Sequence, residues 1–291
     1  IDLTLNFGSK CSTQESMTNL TQMSTKVKGN KLREMMYIFH RLCDENQIYY
    51  IIAYGTLLGA VRHWGMIPWD DDIDVMMPRN DYYRLCKILS KNNAKADYYE
   101  LLSMHNNDIY FAPIAKLIDT RTILIQDYGQ IEKPILGVYI DIFILDGFPD
   151  NKKESINIID RANKNRFYWG LSVRKFSAKS KNLIIAIIKS LYSIPFRIIG
   201  YRYFLRKIDN IAKTYDYEIS NYVGVICFGE GYKEIIEKKY IEPGIEILFE
   251  GEKYSAPSNI DKYLKNIYGD YLKIPPENER IPKHRNYIYW K

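Results

Sequence analysis

The chain has 291 residues, 46% hydrophobic and 26% charged, with a formal net charge of +6. That length gives one large domain or one and a half with an ample buried core, and the composition excludes a disordered chain. Cys11, Cys43, Cys86 and Cys227 lie far apart with no C-x-x-C pair, which argues against a zinc cluster or disulfide framework and fits a reducing compartment. No apolar run approaches the roughly 20 residues that span a bilayer and no signal peptide stands out, so a cytoplasmic location is expected.

Residues 1–30 are polar with little periodicity and read as a tail or loosely packed arm. From Lys31 to Asn46, Leu32, Met35, Met36, Phe39, Leu42 and Cys43 recur at helical spacing, which predicts an amphipathic helix. Ile48–Tyr54 is a β-branched and aromatic run that predicts a central strand. At its end Gly55 permits a sharp turn, and Thr56 is placed to cap a short helix over Leu57–Val61, whose N-terminus would attract a phosphate. Beyond a loop comes Asp70-Asp71-Asp72-Ile73-Asp74, running into Val75-Met76-Met77 and stopped by Pro78. On a strand Asp72 and Asp74 share a face. Paired carboxylates in a partly buried place repel unless a cation neutralises them, and hard divalent ions such as Mg²⁺ favour that oxygen pair. A solvated acidic loop is the competing view, but Trp69, Ile73 and Val75–Met77 call for burial.

Asn80 or Asp81 would cap a helix to about Ser90, and Tyr98–Met104, Ile109–Leu117 and Arg121–Gln126 read as short strands. Lys116 sits between apolar neighbours on the second of these, where a merely solvated lysine is the alternative. Val138–Leu145 alternates as a strand with Tyr139, Asp141 and Phe143 on one face, and Asp146 is assigned to a turn with Gly147. An aspartate inside so apolar a strand needs a partner, most simply the cation of Asp72 and Asp74. Removing any one charge of this trio is expected to relieve repulsion. His63, beside Trp64, fits packing as well as it fits the site.

Ala162–Lys207 reads as mainly helical with an end or kink at Pro195, and no acid occurs between Arg161 and Ile208. Such asymmetry points to an anionic partner, but no nucleic-acid motif accompanies it. Residues 178–207 therefore suit either an anionic membrane surface, at the inner face of the cell membrane, or helices packed on the core. Val223–Phe228 and Ile245–Phe249 read as strands, and Lys233–Lys238 and Asn259–Gly269 as helices. His284, in Lys283-His284-Arg285, is a further substrate-binding candidate.

Gly55-Thr-Leu-Leu-Gly-Ala-Val-Arg-His63 with Ile67-Pro-Trp-Asp-Asp-Asp-Ile-Asp74 resembles the LicD-type phosphocholine transferases, relatives of the fukutin-type phosphotransferases in the nucleotidyltransferase-fold superfamily. Gly137-Val-Tyr-Ile-Asp141-Ile-Phe-Ile-Leu-Asp-Gly-Phe-Pro149 and Lys265–Pro276 add to the likeness, which spares the middle of the chain. The resemblance implies an α+β fold, a nucleotidyltransferase-like mixed sheet with packed helices. The catalytic core would be residues 31–150, 151–210 a basic, mainly helical insertion, and 211–291 an α/β part completing the site. It also implies transfer of phosphocholine, or a similar alcohol phosphate, from CDP-choline or another CDP-alcohol to a sugar hydroxyl, with release of CMP. The acceptor would be a cell-surface glycan, in some cases lipid-linked.

Asp72, Asp74 and Asp141 would hold Mg²⁺ or Mn²⁺, and the Gly55-Thr56 turn a phosphate. Lys116, ahead of Arg62, would meet charge on the leaving CMP, with Arg121 sharing phosphate contact. Asp141 or Asp71 would take the acceptor's proton, and His63 lies nearby. A choline head needs aromatic faces, for which Phe167–Trp169 and Tyr287–Trp290 are candidates. Two other functions fit part of the pattern: a nucleotidyltransferase that keeps the nucleotide on its product, and a non-catalytic lipid- or nucleic-acid-binding module.

Overall fold

The computed structural model describes residues 21–90, 98–126, 136–174, 183–282 and 286–291. The first half runs α1 (Thr25–Glu45), β1 (Ile51–Ile52), α2 (Tyr54–His63), β2 (Asp74–Pro78), α3 (Arg79–Leu89), β3 (Tyr99–Leu102), β4 (Ala115–Asp119), β5 (Thr122–Gln126) and β6 (Tyr139–Phe148). Then come α4 (Lys152–Val173), α5 (Leu183–Ile199), α6 (Tyr201–Ala212), β7 (Tyr222–Val225), β8 (Ile236–Glu237), β9 (Ile245–Phe249), β10 (Glu252–Ala256), α7 (Ile260–Tyr268) and β11 (Asn286–Trp290). The architecture is α+β with a mixed sheet, as expected.

Strand β6 is central because its near-continuous apolar run suits cover on both faces, and all 10 of its residues are buried. β2 lies parallel along one edge, with Asp74 opposite Asp141. β4 lies antiparallel along the other, with Lys116 opposite Asp141. The main sheet runs β1-β2-β6-β4-β3, and β7 pairs with the far half of β6 and brings β8 with it. β9 with β10, and β5 with β11, form separate two-stranded sheets.

Helix α1 turns Leu32, Met35, Met36, Phe39 and Cys43 to the core, as its spacing predicts. It begins ahead of Lys31 because Ser24 caps it, accepting from the Val27 N–H at 3.3 Å. A second apolar cluster, including Phe148, Ile158, Ile159, Ile208 and Ile211, fastens α4 and α6 to the end of β6. Asn259 caps α7, accepting from the Lys262 N–H, and Gly269 ends it with φ +71°, within the helix expected over Asn259–Gly269.

Several boundaries differ from expectation. The strand expected over Ile48–Tyr54 shrinks to β1, since only Ile51 and Ile52 pair with β2. Residues 109–114 form a loop, and the strand begins at Ala115. In place of a helix over Lys233–Lys238, 3₁₀ turns at Gly231–Glu234 and Lys238–Tyr240 flank β8. Pro195 lies inside α5, and the chain breaks instead at Gly200, whose φ of +86° few residues but glycine adopt.

Asp146 also departs from its expected turn: it is a fully buried residue of β6. Arg79 reaches it with a two-pronged contact, Nε–Oδ1 2.5 Å and Nη2–Oδ2 2.8 Å, and gives Nη1 to Asp209 at 2.8 Å. Burial pushes the Asp146 carboxyl up to about 6, with Arg79 opposing. Lys213 closes the network on Asp209 at 2.7 Å, so α3, β6 and α6 are tied by one buried set of charges. Arg79→Met leaves two buried carboxylates without their shared guanidinium. It should cost about 3–5 kcal/mol in denaturant unfolding, whereas Lys265→Ala in the exposed Lys265–Asp261 pair should change stability little.

Candidate active site

Backbone register assembles the charged centre. Asp74 opens β2, Asp141 is opposite it on β6, and Lys116 faces Asp141 from β4. Asp72 stands two residues ahead of β2, in the loop and not on the strand, yet carboxylate oxygens of Asp72, Asp74 and Asp141 all lie within 4.8 Å of one another. Lys116 Nζ donates to Asp141 Oδ1 and sits 3.4 Å from the Tyr139 ring centroid. Burial, then Asp72, Asp141 and Asp70, hold the Asp74 carboxyl well above its usual range, and Lys116 acts against them.

The turn before β2 is built differently from the expectation for Thr56. Helix α2 starts at Tyr54 with Ala53 as its cap, and Tyr54 itself takes the left-handed φ of +43°. Thr56 is buried, and its Oγ1 accepts from the Asp74 N–H at 2.8 Å, fixing the first residue of β2. At Gly55 a Cβ would stand 2.5 Å from Asp70 Oδ2 and 3.9 Å from Asp74 Oδ2, so the glycine admits Asp70 to the centre. Asp70, to which the Asp72/Asp74 spacing assigns no role, thus joins the site.

These groups open on a cavity of about 590 Å³ lined by Gly55, Asp70, Asp72, Asp74, Lys116 and Asp141 on its polar side. Aromatic rings supply much of the rest. Tyr110 and Phe111, from the loop ahead of β4, meet Trp169 of α4 and Phe228 beyond β7. Trp169 Nε1 donates to the Phe111 carbonyl at 2.6 Å, and its ring meets Phe228 edge-on at 6.2 Å. Glu230 and Lys233 also line the cavity.

Behind the wall lies a group the sequence reading did not single out. Glu234 is buried, accepts from Tyr54 Oη at 2.7 Å and from the Glu230 N–H at 2.6 Å, and is pushed up to about 7 by burial. Its signal in the sequence is glycine: a Cβ at Gly224 would meet its backbone at 2.2 Å, and one at Gly229 its side chain at 2.6 Å.

Other candidates are placed elsewhere. Arg62 donates to the carbonyls of Tyr271 and Lys273 at 3.1 and 3.3 Å, tying α2 to the chain after α7. His63 packs edge-on against Trp69 at 5.6 Å, and burial, then Arg62, hold it below its ordinary range. Asp71 is paired to Lys28 at 3.2 Å. Arg121 binds Asp119 at 2.6 Å and lies 4.5 Å from the Tyr98 ring centroid. None of these four lines the cavity. His284 lies outside the described residues. Of the aromatic candidates Trp169 reaches the cavity, whereas Tyr168 stacks on Phe196 and Tyr287–Trp290 pair with β5.

The segment that carries this centre has relatives. Residues 47–168 match the family described as LicD/FKTN/FKRP, nucleotidyltransferase domain. Over 259 residues, 86% of this chain and 92% of the relative, the protein is 29% identical to the lipopolysaccharide cholinephosphotransferase LicD of Haemophilus influenzae. An uncharacterized protein of Rickettsia prowazekii and one of Rickettsia typhi are each 45% identical, over 67 and 62 residues, or 25% and 20% of their own lengths. Residues 47–168, which carry the carboxylates and Lys116, are thus similar to a LicD-type nucleotidyltransferase domain, and most of the chain is similar to a LicD cholinephosphotransferase.

The ion pair between Lys116 and Asp141 separates the carboxylates in stability. In EDTA, Asp74→Asn removes a repelled, buried charge and should hold or raise the melting temperature. Contrary to the expectation for the trio as a whole, Asp141→Asn strands a buried ammonium and should lower stability by about 3 kcal/mol. Thermal and denaturant unfolding of the two variants should therefore move apart.

Proposed function

We propose that the protein moves phosphocholine from CDP-choline to a sugar hydroxyl of lipopolysaccharide or a similar cell-surface glycan, releasing CMP. The observation that carries this reading is the alignment of Asp74, Asp141 and Lys116 on adjacent strands, facing a cavity whose remaining wall is aromatic. The name of the Haemophilus influenzae relative supports the phosphocholine group and the lipopolysaccharide acceptor. The donor is a cytoplasmic nucleotide, so the reaction belongs in the cytoplasm. Residues 31–150 and 211–291 build the centre, and 151–210, an insertion, lends it Trp169.

Asp72, Asp74 and Asp141 fit Mg²⁺ or Mn²⁺: the donors are all oxygen, close together, and costly to keep charged without a cation. Such an ion supplies charge neutralisation to a diphosphate. Lys116, held between Asp141 and the Tyr139 face, brings a fixed ammonium to the charge that develops on the departing CMP. The N-terminal turn of α2, exposed to the cavity at Gly55, offers amide N–H groups and a positive dipole end to a phosphate. Trp169, Phe228, Tyr110 and Phe111 present ring faces and edges to a quaternary ammonium, which takes no hydrogen bond and binds through ring quadrupoles. Glu230 adds a carboxylate to that wall.

A panel of CDP-choline, CDP-ethanolamine and CDP-glycerol with Mg²⁺ tests the reading, with CMP release expected to favour CDP-choline. Release of pyrophosphate from CTP and an alcohol phosphate would make the protein a nucleotidyltransferase instead. Asp72→Asn and Asp74→Asn should each lower turnover by about a hundredfold or more. Trp169→Ala should raise KM for CDP-choline about tenfold and leave that for CDP-glycerol nearly unchanged.

A further inference from the structure

The described side chains of helix α5 pack by one side only. Inward, Ser193 is buried and Phe196 stacks on Tyr168 of α4 at 4.9 Å, with Phe204 of α6 at 6.1 Å. Outward, Ile188, Leu191, Tyr192, Ile194, Ile198 and Ile199 are 59, 60, 56, 44, 81 and 51% exposed. At helical spacing these positions make one broad stripe, and among the described side chains no charged one interrupts it. A helix face left to water carries charge, whereas a contiguous apolar face of this kind marks a contact surface. Arg174 at the end of α4, and Arg206 and Lys207 on α6, are exposed and basic, while the exposed Asp108 on the neighbouring loop is paired to Arg202 of α6.

We propose that α5 lies in the surface of an anionic lipid bilayer, its outward stripe among the acyl chains and the basic residues of α4 and α6 on the headgroups. The charge pattern selects this occupant. A second copy would set one predominantly basic rim against another, whereas an acidic bilayer offers an apolar interior beneath a negative surface. At 17 residues with Pro195 inside it, α5 is suited to lie flat, and no described helix is long and apolar enough to cross a membrane.

The docked elements also hold both aromatic walls of the cavity. Tyr168, which packs on α5, precedes cavity-lining Trp169. At the start of α6, Arg202 pairs with Asp108 at 2.7 Å and Tyr201 Oη donates to the Asp108 carbonyl at 3.3 Å. Asp108 heads the loop that carries Tyr110 and Phe111 into the cavity, and Ile109 beside it is 58% exposed. Docking by this face brings the cavity to the bilayer surface, where a lipid-anchored acceptor is confined.

Flotation of the full chain with vesicles tests the docking without any turnover, so its outcome is independent of the reaction proposed above. The protein should float with phosphatidylethanolamine–phosphatidylglycerol vesicles at low salt, far less with phosphatidylcholine vesicles, and less again as salt rises. Leu191→Asn with Ile198→Asn, and separately Arg206→Gln with Lys207→Gln, should each lower the partition coefficient about tenfold or more. All four side chains point away from the packed side, so the melting temperature should hold and show that the variants are folded. The proposal is overturned by absence of binding to phosphatidylglycerol vesicles at low salt, or by variants that bind like the wild type. It is equally overturned by a dimer in light scattering that the Leu191 and Ile198 changes dissolve, which would give the stripe to a second copy.

Discussion

Two carboxylates and an ammonium are held side by side at the middle of a largely apolar sheet. Like charges within 4.8 Å repel by roughly 3 kcal/mol at an effective dielectric of about 20, before the cost of removing them from water is added. Side-chain packing alone would let such groups turn away. Backbone hydrogen bonding prevents it, since the β2–β6–β4 register sets the three Cα positions in a row. Much nearby structure serves that constraint. Thr56 secures the start of β2 through the Asp74 N–H, Gly55 makes room for Asp70, and Glu234 steadies Tyr54 at the cavity edge.

The charged side and the aromatic side of the cavity are built from different material. Carboxylates and lysine come from paired strands and the loop directly before β2, whereas Trp169, Phe228, Tyr110 and Phe111 come from a helix and two loops. Their mutual contacts, Trp169 to the Phe111 carbonyl and to the Phe228 ring, give that wall its own support. Arg79 joins the two regions from beneath by binding Asp146 of β6 and Asp209 of α6 together.

What the sequence made legible was what depends on short range. Asp72 and Asp74, two apart before an apolar run, and Asp141 alone in another, identify themselves by the cost of burying charge. The helix over Lys31–Cys43 follows from periodicity. Partners distant in sequence leave no such trace. Nothing near Arg62 announces the carbonyls of Tyr271 and Lys273, and nothing near Asp71 announces Lys28 as its partner. Asp146 looked like half of an Asp-Gly turn because its guanidinium partner is 67 residues away. The helix of Leu183–Ile199 was ambiguous for another reason: a stripe hidden in a core and a stripe facing outward have one and the same pattern, and only packing tells them apart.

A fixed strand register beside loop-borne rings gives this scaffold freedom to diversify. On the function proposed above, substitutions at Tyr110, Phe111 or Phe228 would alter which alcohol head fits without shifting a strand, leaving the charged centre intact. On the same reading, descendants of one ancestral gene would diverge in the group they transfer while keeping one strand register.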